Sequence, residues 1–130
     1  MLNNCVNTKK QGDIGLGVAI GWFAKKGYTV SIPLTDSQEY DLVVDINNSL
    51  KRIQIKTTQY KRDGNYSVSL TTKGGNKSGT GKIKKFDKEL VDILWILTND
   101  KEVYLLPTKN VKSTSSITLS SKYDEYRCEY

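Results

Sequence analysis

Histidine is absent from this sequence of 130 residues. Without an imidazole there is no Ser-His-Asp or Cys-His catalysis, no histidine general base and no zinc site of the usual Cys/His type. Cysteine is scarce as well. Cys5 and Cys128 lie near opposite ends of the chain, too few and too far apart to imply a disulfide framework, and both are read as free thiols. No apolar run approaches the roughly 20 residues needed to cross a bilayer. The opening Met-Leu-Asn-Asn-Cys lacks the basic start and apolar block of a secretory leader. These absences set the expectation of a cytoplasmic protein, nucleoid-associated if it meets DNA, with no membrane partner. Carboxylates, lysine and a hard metal ion are the chemistry left.

The length suits one domain spanning residues 1–130. An apolar fraction of 37% with 26% charged residues is that of a globular chain able to build a core. The net charge of +6 and pI near 9.2 fit a polyanionic partner.

In "GDIGLGVAIGWFAKK" (12–26), Ile14, Val18 and Trp22 recur one turn apart, which predicts a mostly buried first helix with Gly27 just past its end. Gly15, Gly17 and Gly21 within it imply close packing against a sheet. "YTVSIP" (28–33), "YDLVVDI" (40–46), "KRIQIKTT" (51–58) and "YSVSLTT" (66–72) read as four strands of a meander separated by Asx/Gly-rich turns. "VDILWILTND" (91–100) and "KEVYLLPTKNV" (101–111) read as a buried hairpin turned at Asn99-Asp100 and closed by Pro107. Ile117 and Leu119 suggest a last short strand before a polar, tyrosine-bearing tail. Trp22 and Trp95 are assigned to the core.

Alternation along the second and third strands puts Leu42, Val44, Ile46, Ile53 and Ile55 on one face and leaves Asp41, Gln54 and Lys56 for the other. An Asp and a Gln can bind a hard divalent cation through oxygen, together with a strand carbonyl such as that of Ile55. A neighbouring lysine can orient water or steady charge on a phosphate. An ordinary cross-strand ion pair of Asp41 with Lys56 beside a solvated Gln accounts for the same three residues.

The order of a first helix, "PLTDSQEYD" and then "QIK" on the next strand resembles the PD-(D/E)XK nuclease superfamily. Within it, "GDIG", "GYTVSIP", "YDLVVD" and "RIQIKTT" are most similar to group I intron-associated homing endonucleases, over roughly residues 9–125. The resemblance implies an α+β, restriction-endonuclease-like core, with an N-terminal helix packed on a central mixed β-sheet and a basic loop extension. It implies a Mg2+- or Mn2+-dependent endonuclease acting on double-stranded DNA, with no small-molecule cofactor. Carried over by position, Asp41 matches the metal-binding aspartate, Gln54 the glutamine that replaces an acid in these enzymes, and Lys56 the catalytic lysine. Tyr40 stands where the motif has proline, and Leu16 where members carry a helix glutamate. Asp13 and Glu39 are nearby acids able to compensate. With Asp41 the one carboxylate at the motif positions, a non-catalytic DNA-binding module of the same fold and a Holliday-junction resolvase remain alternatives.

"KGGNKSGTGKIKK" (73–85) has five lysines and no acid, which predicts a flexible loop that contacts phosphates. Candidate DNA contacts are Lys61, Arg62, Lys73, Asn76, Lys77, Ser78, Lys82, Lys84 and Lys85, with Lys88 nearby. Tyr60 and Tyr66 are expected to pack across strands. A chain this small that reads a long target is expected to act as a homodimer or homotetramer, each pair reading two half-sites.

Overall fold

The computed structural model describes residues 1–2, 7–73 and 83–130. Its helix, α1 (Thr8–Lys25), starts four residues earlier than the apolar periodicity indicates, because Asn7 caps it. The Asn7 side-chain oxygen accepts from Lys9 N at 2.9 Å and Lys10 N at 3.4 Å, satisfying two of the orphan amides of the first turn. Gly27, at φ +84, ends the helix as expected.

The strands among the described residues are β1 (Thr29–Ser31), β2 (Leu42–Ile46), β3 (Ser49–Thr58), β4 (Lys61–Arg62), β5 (Asn65–Ser69), β6 (Thr72–Lys73), β7 (Ile83–Lys84), β8 (Ile93–Thr98), β9 (Val103–Pro107), β10 (Ser116–Thr118) and β11 (Arg127–Cys128). The main sheet has the order β1-β2-β3-β8-β9-β11 and is mixed, since β3 and β8 run parallel. Tight turns with positive φ at both central residues join β2 to β3 (Asn47, Asn48) and β4 to β5 (Asp63, Gly64), the handedness that matches strand twist.

Two sequence expectations, the meander and the mostly buried helix, are corrected here. The fourth strand of the supposed meander, β5, leaves the main sheet and pairs with β4 and β10; the edge of β3 that it would need is taken by β8. The polar tail is built into the fold. Its 3-10 segment Ser121–Tyr126 leads into β11, which closes the far edge of the sheet, and Glu129 O accepts a 2.7 Å hydrogen bond from the Trp22 indole. The helix, finally, is half-exposed: its buried stripe is Gly15, Ala19, Trp22 and Phe23, while Ile14 faces solvent.

The sheet is covered on both faces. On the helix side Ala19, Trp22 and Phe23 pack on Leu42, Val44, Ile53, Trp95, Leu97 and Val103. On the other side Leu94, Ile96, Tyr104 and Leu106 meet Tyr66, Val68 and Leu70 of the small-sheet region, with Ile117 and Leu119. Burial on both faces explains why β8 reads "ILWILT" without alternation. Gly15 sets how closely the helix sits: a Cβ there would lie 2.5 Å from Thr57 Cγ2 and 3.3 Å from Ile55 Cγ2. Gly17 and Gly21 have open space, so of the three glycines only Gly15 is a packing requirement. No helix among the described residues is long and apolar enough to span a membrane.

Candidate active site and nucleic-acid interface

The β2–β3 ladder pairs Leu42 with Ile53 and stops there. That register does not continue through Asp41: its N–H also reaches Ile53 O, so Asp41 and Leu42 lie two against one opposite Ile53, as in a bulge. Beyond this point β3 continues to Thr58 with no β2 beside it, leaving an open cleft along its free edge. Asp41 spans the fork: its backbone N donates to Ile53 O at 2.8 Å, and its Oδ2 accepts from Ile55 N at 2.7 Å. In a strand the N–H and C=O of one residue point to the same side. The Ile55 carbonyl therefore points to the same open edge as the Asp41 carboxylate.

Gln54 is 7% exposed, and its Nε2 donates to Glu39 O at 2.9 Å, which fixes the amide with its oxygen pointing away from that carbonyl. That oxygen, Gln54 Oε1, is buried with no hydrogen-bond partner among the described residues. A buried acceptor left unmatched costs roughly 1–3 kcal/mol. The Asp41 carboxylate and the Ile55 carbonyl belong to the same stretch of β3 and its neighbour, and with Gln54 Oε1 all three are oxygen donors of the kind a hard divalent cation takes. Burial pushes the Asp41 carboxyl above its ordinary value, against the opposing pull of the Ile55 N–H and Lys56. Burial lowers Lys56, with Asp41 and Glu39 acting the other way. Lys56 forms no ion pair among the described residues. No cluster of three or more Cys, Asp or Glu side chains suited to a metal occurs among them either.

Leu16 does not reach for charge; it is half-buried against the helix-side core. Asp13 is exposed and, with the helix starting at Thr8, lies outside its first turn. Glu39 is engaged twice, its carbonyl holding Gln54 and its Oε1 paired with Lys84 Nζ on β7. That pair ties the returning end of the basic segment to the mouth of the cleft.

Of the residues expected to touch DNA, Asn76, Lys77, Ser78 and Lys82 fall outside the described residues, and of Lys73 only the strand position is described. Lys84 is held by Glu39, and Lys85 and Arg62 are exposed. Lys61 is paired with Asp100 at 3.3 Å and lies 4.8 Å from the Tyr66 ring centroid. Tyr66 is core, its phenol pushed up to about 12 by burial and by Asp100; Tyr60 is exposed and across from no aromatic partner. Lys88 sits at the opposite end of β3 from the cleft rather than beside it.

The sequence reading missed Gln11 and Gln59. Gln11 Nε2 donates to Thr57 Oγ1 at 2.8 Å and Gln59 Nε2 donates to Gln11 Oε1 at 2.7 Å, bracing the first turn of α1 against β3 just past Lys56. The helical stripe 11-15-19-22, read through Gly15, was the available signal for Gln11.

Comparison with known proteins bears on the fold and the family. The chain aligns with the solved structure of a bacterial homing endonuclease, I-Ssp6803I, at a TM-score of 0.76 and 25% identity, over 93% of this chain and 88% of that one. No curated protein sequence matches it. The α+β arrangement, one helix on a mixed sheet, is the restriction-endonuclease-like fold of that neighbour. A family model described as PD-(D/E)XK endonuclease matches residues 6–128, nearly the whole chain; the protein belongs to the PD-(D/E)XK endonuclease family.

Proposed function

We propose that residues 1–130 act as one nuclease domain, a metal-dependent endonuclease of homing type that hydrolyses phosphodiester bonds in double-stranded DNA. The observation that carries the reading is the orphaned, buried Gln54 Oε1 on the same strand whose Ile55 N–H holds the Asp41 carboxylate. Asp41, Gln54 Oε1 and the Ile55 carbonyl would hold Mg2+ or Mn2+. A bound divalent ion lowers the pKa of its water and offsets charge on the phosphate. The chain's own part is positioning. The Ile55 N–H holds the Asp41 carboxylate, the Glu39 carbonyl holds the Gln54 amide, and Lys56, the one unpaired cation on this face of β3, orients the attacking water and stabilises the transition state. Two copies, or a tetramer built from two pairs, would read the two half-sites of a long target, and the lysines of 73–85 would follow its backbone.

A second reading is favoured by Leu16: with an apolar side chain where members carry an acid, the same fold would bind DNA without cutting it. Plasmid and random-duplex cleavage with magnesium and with manganese separates the two. The parent chain is compared with Leu16→Glu, Asp41→Ala and Lys56→Ala. Cleavage by the parent that disappears in both alanine variants supports the nuclease. Cleavage seen only in Leu16→Glu supports the non-cutting reading, and cleavage undiminished in Asp41→Ala and Lys56→Ala refutes the site.

A further inference from the structure

A second cleft lies at the other end of β3, where β3 and β8 begin side by side. It has a volume of about 580 Å3 and is lined by Lys51, Lys88 and Lys109 together with Arg52, Glu89 and Asp92. The acids and cations are unevenly committed. Asp92 is consumed by Arg52, whose Nε and Nη2 reach its two oxygens at 3.1 and 3.0 Å while Nη2 also donates to Glu89 O at 3.0 Å. The guanidinium holds the Asp92 carboxyl below its usual range, so that acid stays charged and spent. None of the three lysines forms an ion pair among the described residues. Three uncommitted cations thus face one uncommitted acid, Glu89.

The walls are preset. Asp92 N donates to Arg52 O at 2.9 Å, Thr108 N to Asp92 O at 3.0 Å, and the buried Thr108 hydroxyl to Val91 O at 2.6 Å. These bonds stitch the starts of β3 and β8 to the end of β9, so Lys51 is carried by the central sheet and Lys88 and Lys109 by the short 3-10 segments Lys88–Leu90 and Thr108–Asn110 that flank it. Apolar atoms of Val91 and Pro107 line part of it, which suits the sugar edge of a nucleic acid strand between its phosphates.

Arg52, which holds the Lys88–Glu89 wall of the cleft through Glu89 O, shares a face of β3 with Lys56 four residues on, about 13 Å at roughly 3.3 Å per residue, while Lys51 points to the other face. That distance is about four base-pair steps of duplex at roughly 3.4 Å each. From this placement we propose that the Lys51/Lys88/Lys109 cleft is a second phosphodiester-backbone site, which grips the DNA a few steps to one side of the phosphate presented to Asp41 and Lys56. The inference rests on the DNA reading above and adds to it a direction: the duplex lies along β3, with the basic segment 73–85 and this cleft holding different parts of its backbone.

The test is fluorescence anisotropy with a labelled 40-base-pair random duplex in EDTA, titrated from about 50 to 300 mM salt. The full chain is compared with Lys51→Ala/Lys88→Ala/Lys109→Ala and with a charge-matched control, Lys25→Ala/Lys112→Ala/Lys122→Ala. Each lost phosphate contact lowers the slope of log K against log salt by about 0.9, equivalent to roughly eightfold in affinity at 0.1 M. The cleft variant is expected to lose about 2 to 3 in slope and the control to lose little. Replacing the three cleft lysines by arginine is expected to keep the parent slope, which a general loss of fold would not allow. Equal slopes for the cleft variant and the control would overturn the inference while leaving the DNA reading intact. A parent chain that binds no duplex would overturn both. Weakened binding of poly-glutamate with unchanged DNA binding would reassign the cleft to an acidic protein partner and likewise overturn it.

Discussion

Replacing Gly15 by alanine isolates the contact that seats the helix on the catalytic strand. The new methyl would fall 2.5 Å from Thr57 Cγ2 and 3.3 Å from Ile55 Cγ2, with Thr57 Cβ a further 4.0 Å contact; both side chains are β-branched and stiff at χ1, which restricts their retreat. Overpacking of this kind costs about 1–3 kcal/mol, while alanine gains about 1 kcal/mol over glycine in a helix interior. The net expectation is a loss of up to about 2 kcal/mol. Gly17→Ala supplies the internal control, because nothing lies within 4 Å of its Cβ position; there the propensity gain of about 1 kcal/mol should appear undiminished. Urea unfolding of both variants, with slopes matching the parent, should therefore separate them by about 1–3 kcal/mol. The two displaced side chains flank Lys56 and belong to the strand that holds Asp41, so cleavage or metal affinity should fall in Gly15→Ala and not in Gly17→Ala. Equal stabilisation by the two substitutions would refute the argument that the helix approaches β3 through Gly15.

Two further expectations follow from the site. Gln54→Glu supplies a second acid but removes the Nε2 donor, setting a carboxylate oxygen against the Glu39 carbonyl now 2.9 Å away; in EDTA the variant should lose about 1–3 kcal/mol, and manganese should restore it in thermal denaturation, whereas a variant stable without metal would contradict the site's electrostatics. Asp41 titrates in the folded chain above its unfolded value of 3.8, so its ionised form is a net burden on the fold at higher pH and the burden lifts as pH falls through the folded pKa. Asp41→Asn, which keeps an oxygen for the Ile55 N–H, should be at least as stable as the parent at pH 7 and lose that advantage near pH 4; an advantage that grows toward pH 4 in urea titrations would invert the assigned cause.

The parts of the fold that were legible in the sequence are those decided by local patterning. The period-2 alternation of 40–46 and 51–58 placed β2 and β3, and with them the polar trio, because a strand's two faces are written directly in its residues. Gly27 marked the helix end for the same reason. What could not be read locally was which strand edge each segment would occupy. β5 has as good a strand pattern as β2, yet β8, far away in sequence, takes the position beside β3. The helix start was missed because a capping Asn7 and a polar first turn carry no apolar period. The engagement of Glu39 with Gln54 and Lys84, and of Gln11 with Thr57, depends on tertiary approach and leaves no fixed spacing in the chain.

The parallel pairing of β3 with β8 also has a consequence during synthesis. When Thr58 leaves the ribosome, β3 has β2 on one side along only part of its length, and its other neighbour is still roughly 35 residues from being made. At about 5–20 residues per second that interval lasts about 2–7 seconds, during which the central strand of the future sheet is an open edge. The same edge on a second nascent chain would be a matching template. Lys51, Arg52 and Lys56 punctuate this strand with positive charge, so two exposed copies repel each other in the interval before β8 arrives. Lys51 and Lys56, proposed above to meet phosphates, thereby also act as gatekeepers against aggregation, and neutralising them should lower soluble yield during expression even where the finished fold is as stable as before.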